Sequence, residues 1–274
     1  AGGEKGDEIY RPLASEYLFL SQKLPGLAAQ DLSAKLEYSK APKGSGNSAS
    51  IAAALACAVY DSQGVKPTRD ELYNAAFIAD NEYNGGKSSG GDVAAVLGNQ
   101  PILFKKTFTE PPAWFKEVNA ALPHETSLIL IQTSDRKTGT GKQIEAFAQA
   151  HGITKKPGGL TPEEREEIAK PFNEIVEKIT GEMHKDGDAQ RLGELLNENH
   201  ALLESVSDQN IEKAREVAKN AGAFGSKLVG AGGKGGAVIA LFEKTRVQKA
   251  VKEFKEHGLK AWKIRLAKKG TIVE

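Results

Sequence analysis

Between Pro42 and Tyr60 the chain reads PKGSGNSASIAAALACAVY, two glycines and several hydroxyl residues opening onto an alanine-rich run. Just upstream, Leu32, Ala34, Leu36 and Tyr38 alternate with polar residues, the period of a half-buried strand. A strand, a glycine turn and a helix start are the context that a phosphate-binding loop requires. Glycines let the backbone approach an anion closely, and a helix N-terminus offers unpaired N–H groups at the positive end of its dipole. The same residues describe equally well an ordinary turn ahead of a small-residue core helix, so this stretch alone leaves the two readings even.

A chain of 274 residues with 39% hydrophobic content supports one large or two ordinary domains. With 37 basic and 36 acidic residues its formal charge is +1, which supplies no global field for nucleic acid or an anionic membrane. The single cysteine, Cys57, excludes an intramolecular disulfide and a multi-cysteine zinc site. It lies in the apolar run Ile51 to Val59 and reads as a small buried hydrophobe. Every apolar run falls short of the roughly 20 residues that span a bilayer, and no signal-peptide pattern opens the chain, so a cytoplasmic location is expected.

In chain order, Leu13, Tyr17, Leu20 and Leu24 recur at helical spacing until Pro25-Gly26. After the glycine loop and its helix, Thr68 and Glu71 carry the signature of a capping box, ahead of a helix through about Glu82. Strands are expected near Ile102 to Phe108 and Ser127 to Gln132, and a linker over Lys155 to Leu160. Thr161-Pro162-Glu163-Glu164 combines a cap, a first-turn proline and a capping-box glutamate. Two further helices are expected from Asp188 and Asp208, then two strands flanking the glycines of 230–236, a helix to His257 and a final strand containing Trp262 and Ile264.

Asp92 stands alone among the flexible residues of NGGKSSGGDVAAVLG, a carboxylate on a loop of the kind that carries function. Taken by itself it reads first as the N-cap of a short helix beginning at Val93. Gly230 to Gly235 match the dinucleotide fingerprint, yet a strand-like segment follows them where the fingerprint needs a helix. Gly141-Lys142 fails as a Walker loop because Gln143 follows and the earlier glycine is missing. His124, His151, His184, His200 and His257 show no metal-ligand spacing and read as surface or helix-end residues.

Three glycine-rich loops in one order say more than any one of them. PKGSGNSAS resembles the second motif of the GHMP kinases, GGKSSGGD the segment that carries their catalytic aspartate, and GSKLVGAGGKGGAVIAL their third motif. The resemblance runs from about Glu8 to Glu274, and GKSSGGD, QPILFK and LGELLNENHALLESV are most like the mevalonate-phosphorylating branch. It implies an α+β fold of two domains. The first, 1–150, would be a mixed α/β domain with the phosphate loop; the second, 151–274, a helix-rich α/β domain with a small antiparallel sheet.

The resemblance further implies transfer of the γ-phosphoryl group of ATP to the hydroxyl of mevalonate, with Mg2+ as cofactor. Phosphomevalonate or another sugar or metabolite is the alternative acceptor; a non-catalytic nucleotide- or metabolite-binding fragment is the alternative class. Asp92 matches the catalytic aspartate. Lys43, Gly44, Ser45, Gly46, Asn47, Ser48, Ala49 and Ser50 match the phosphate loop. Aligned from Pro42 without a gap, Ser50 falls at the magnesium-contacting serine; with the loop shortened, Ser48 does. Asp80 is the first choice for the metal carboxylate and Glu82 the second. Thr140 resembles the threonine of a substrate-side loop, and Gly230, Gly232 and Gly233 the third loop, where Lys234 replaces a glycine.

The first family motif, with its lysine, is absent, so the N-terminal strands are expected to be missing or supplied by a separate polypeptide. The expected partner is a small-molecule substrate, with neither nucleic acid nor membrane involved. A homodimer is left open.

Overall fold

The computed structural model describes residues 4–24, 26–27, 45–106, 113–134, 140–154 and 159–266. The strand read over 32–39 lies outside them. The packing resolves into two compact units, one containing Ser45–Asn119 together with the first helix, the other Ala120–Arg265. Among the described residues no helix is long and apolar enough to cross a membrane.

The first unit contains α1 (Glu4–Lys23), α2 (Asn47–Ser62), α3 (Arg69–Tyr83) and α4 (Gly91–Leu97), followed by β1 (Ile102–Lys106) and β2 (Ala113–Glu117). On α2, Ala49, Ala52, Ala53 and Ala56 are buried at helical spacing. With no side chain beyond a methyl, they let neighbouring helices pack close: Ala49, Ala52 and Ala53 cluster with Tyr73, Ala76, Ala79, Val93, Ala94 and Leu97 of α3 and α4, and Ala56 with Leu20 of α1 and Ala75 of α3. The capping box at Thr68 forms as read, with the Glu71 N–H donating to Thr68 Oγ1 at 3.3 Å and the Thr68 N–H to Glu71 Oε2 at 2.7 Å. Strand β2, antiparallel to β1 with Ile102 opposite Glu117, was not anticipated; Pro111-Pro112 just before it hides a five-residue strand from pattern reading.

The second unit is built on a four-stranded antiparallel sheet of order β4-β5-β3-β6, from β3 (Thr126–Gln132), β4 (Gly225–Val229), β5 (Ala237–Glu243) and β6 (Lys260–Ile264). Its helices are α5 (Thr140–Ala150), α6 (Pro162–Glu182), α7 (Ala189–Ala201), α8 (Gln209–Asn220) and α9 (Val247–Glu256). Strand β3 is buried on both faces, which explains its near-continuous apolar reading: Ile129 and Ile131 join α8 and α9, whereas Leu128 joins Leu192 and Leu196 of α7. Capping at Thr161, Asp188 and Asp208 sets the starts of α6, α7 and α8 where the sequence places them. Helix α7 crosses β4 at Gly193, where a Cβ would fall 2.4 Å from the backbone of Phe224.

Candidate active site

Helix α2 begins at Gly46, which takes a φ of 73° and caps the helix without a side chain, leaving the first-turn N–H groups unclaimed by any side-chain cap. Ser48, in that turn, donates its hydroxyl to Asp80 Oδ1 at 2.8 Å. Asp80 comes from the last turns of α3 and is 2% exposed. Its Oδ1 also accepts from Asn84 Nδ2 at 3.3 Å, and its Oδ2 accepts from the Ser88 hydroxyl. Ser88 in turn accepts the N–H of Gly90 at 3.0 Å. One buried carboxylate thus ties the start of α2, the end of α3 and the loop into α4. Gly90 has a φ of 83°, and a Cβ there would lie 2.0 Å from the Tyr73 hydroxyl, so only glycine fits.

That loop delivers Asp92 into the first turn of α4, beside the start of α2. A Cβ placed on Gly46 would lie 3.8 Å from Asp92 Cβ and 3.9 Å from its carboxyl carbon. Asp92 is exposed to solvent by area, yet enough protein surrounds its carboxyl that desolvation, followed by the charge of Asp80, pushes its pKa up. A carboxylate so raised is a better proton acceptor than a free one. Asp92 is not the helix cap expected of it in isolation: the cap is Gly90, and no side chain caps α4.

Of the paired candidates, the structure brings only one of each together. Ser50 turns to the outside and donates to the Gly46 carbonyl at 3.0 Å within its own helix, and Glu82 pairs with Arg11 of α1 at 2.9 Å. Ser45 bonds Asn47 Oδ1 at 3.0 Å on the outer side of the loop. Ala49 is buried under it. Lys43 and Gly44 lie outside the described residues. Sequence reading missed Asn84 and Ser88 as partners of Asp80; the hydroxyl in GGKSSGGD, eight residues after the carboxylate, was the available signal.

In the second unit, Thr140 opens α5 and the third glycine loop joins β4 to β5. Gly232 and Gly233 both take positive φ and both are crowded. A Cβ on Gly232 would lie 2.3 Å from the Val206 carbonyl oxygen, and one on Gly233 would lie 2.4 Å from the Gln143 amide. Gly230 also has positive φ, with open space around it, and Lys234 is exposed. The hairpin around these glycines bears out the rejection of a dinucleotide fingerprint.

Comparison with known proteins finds two family-model matches. The model described as GHMP kinases N terminal domain matches residues 17–99, and that described as GHMP kinases C terminal matches 174–260. The chain belongs to the GHMP kinases. This GHMP kinase chain is 27% identical over 234 residues to a mevalonate kinase of Aeropyrum pernix, covering 84% of the chain and 67% of that relative. It spans only 55% of the length of other archaeal relatives it matches. Among solved structures it resembles L. major mevalonate kinase in complex with R-mevalonate, with a TM-score of 0.69 at 22% identity, over 95% of this chain and 78% of that one. Streptococcus pneumoniae phosphomevalonate kinase gives the same TM-score at 14% identity, over 93% and 81%. These two likenesses establish the fold.

Proposed function

We propose that this chain transfers the γ-phosphoryl group of ATP to the hydroxyl of mevalonate. The observation that carries the proposal is the convergence of Ser48, Asp80 and Asp92 on the glycine-capped start of α2. The N–H groups of that first turn cradle phosphate oxygens, the arrangement that phosphoryl transfer needs because its catalysis is mostly positioning and charge stabilisation. Asp92 accepts the hydroxyl proton as the substrate oxygen bonds to the γ-phosphorus and the bond to the departing ADP breaks.

The donors present fit Mg2+. Ser48 Oγ and Asp80 Oδ1 lie 2.8 Å apart, and adjacent ligands of an octahedral ion with bonds of 2.0–2.1 Å lie about 2.9 Å apart. Two protein oxygens suffice for an ion that completes its shell with phosphate and water. When bound, it supplies positive charge against the phosphates.

The identity of the acceptor is supported by the curated relatives, which are named mevalonate kinases; the fold, shared equally with phosphomevalonate kinase, does not discriminate. A coupled ADP-release assay with mevalonate, phosphomevalonate, galactose and homoserine tests the reading. Turnover with mevalonate is expected. ATP binding with no turnover of any of the four would sink it in favour of a non-catalytic nucleotide-binding protein.

A further inference from the structure

Among the described residues strand β4 is an edge of its sheet, and its outward backbone groups are met by side chains instead of a neighbouring strand. The Ser226 N–H donates to Asn197 Oδ1 at 3.0 Å, and the Ser226 carbonyl accepts from Arg215 Nε at 3.3 Å. The Leu228 N–H donates to His200 Nδ1 at 3.2 Å. His200 is 3% exposed and its Nε2 lies 2.9 Å from Glu212 Oε1. Since Nδ1 is the acceptor, Nε2 carries the proton and donates to Glu212. Glu212 also accepts from the Ser207 hydroxyl and pairs with Arg215 at 2.9 Å.

Both ends of this bracket reach the third glycine loop. Leu228 lies two residues before Gly230, where the loop begins. Ser207 follows Val206, whose carbonyl accepts the Gly233 N–H at 2.7 Å and abuts Gly232.

We propose that His200 is a positioning residue for the third glycine loop, holding the outer edge of β4 by accepting the Leu228 N–H at Nδ1. Protonation of Nδ1 removes that acceptor, so the bracket opens as pH falls. The charged groups facing the ring are Glu212 and Arg215 on α8 and Glu204 on the short 3-10 turn Glu204–Val206. Burial, then Arg215, pushes the imidazole pKa down against the pull of the two glutamates, which keeps the bracket closed at neutral pH. The bracket is thus either closed, with Nδ1 accepting, or open, and neither state rests on the kinase reading.

Amide hydrogen exchange of the full chain over residues 226–236, corrected for intrinsic rates, separates these. Asparagine places an acceptor where Nδ1 stands and cannot be protonated; glutamine reaches Glu212 and offers nothing to Leu228. Protection of the native chain is expected to fall about tenfold between about pH 7.5 and an acid limit, below the ordinary imidazole range, at which the chain stays folded. His200→Asn should stay protected at both, and His200→Gln at neither. Equal protection of His200→Gln and the native chain at the higher pH, or equal pH dependence of His200→Asn and the native chain, overturns the proposal. The exchange result decides this proposal whatever the kinase assay returns.

Discussion

In the proposed site Asp80 and Asp92 have different roles because their surroundings differ. Asp80 is buried and accepts three side-chain hydrogen bonds, so its geometry is set before any ligand arrives. Asp92 makes no cap and stands free to take a proton. Asp92→Asn is expected to lower kcat by about 100-fold or more while leaving ATP affinity largely intact, measured by steady-state kinetics and calorimetry; an unchanged kcat would remove Asp92 from its role. Because its pKa is raised and the active form is the carboxylate, kcat/KM should fall on the acid side, with a midpoint above the ordinary 3.8 of an aspartate. Glu16 offers a test of a different kind. It is fully buried in α1, and burial pushes its pKa from 4.5 up to about 9, with the Ala56 backbone opposing. The folded state therefore holds a proton that the unfolded state releases above 4.5, so the contribution of this group to stability is greatest below that pH and falls as pH rises toward 9. Glu16→Gln should flatten this fall and raise stability at pH 8 by about 1 kcal/mol or more, read from urea unfolding.

At the level of elements, caps and apolar periods were legible because their causes are local. Thr68 with Glu71, and Thr161 with Glu164, satisfy helix-end N–H groups within four residues of chain, so the pattern carries its own mechanism. Gly193 was not legible, because its reason lies in another element. It sits in the interior of α7, where glycine is a poor helix former, and only the backbone of Phe224 and Gly225 running against it explains the choice. Gly193→Ala is expected to destabilise the second unit by about 2–4 kcal/mol, since the conflict is with backbone that cannot rotate away. Gly181→Ala, in α6 with nothing within 4 Å of the added methyl, should instead be neutral or stabilising by up to about 1 kcal/mol. Thermal unfolding of the two variants gives opposite shifts if the crossing of α7 over β4 is as described. His200 belongs with Gly193. A helix-end histidine in the sequence, it is buried in the structure because an edge strand needs an acceptor there.

For the molecule as a whole, a net charge of +1 leaves substrate capture to the local site, and ligand binding should show directly in stability. ATP with Mg2+ at about 100 times its Kd is expected to add about 2.7 kcal/mol to the stability of the unit that binds it. Ser48→Ala should lose most of that gain at the same concentrations and Ser50→Ala little, a contrast that calorimetry reads without any turnover. Sequence alone determined the order of the helices and of the strands other than β2 in the described parts, the glycine turns and the family, because these rest on local chemistry and on motifs contiguous in the chain. Two choices stayed beyond it, which serine and which carboxylate meet. Ser48 and Ser50 are two residues apart on α2, and Asp80 and Glu82 two apart on α3. Residues at that spacing on a helix point to nearly opposite sides. Only the packing of α2 on α3, set by the alanine face of α2, turned Ser48 toward Asp80 and left Ser50 and Glu82 facing elsewhere.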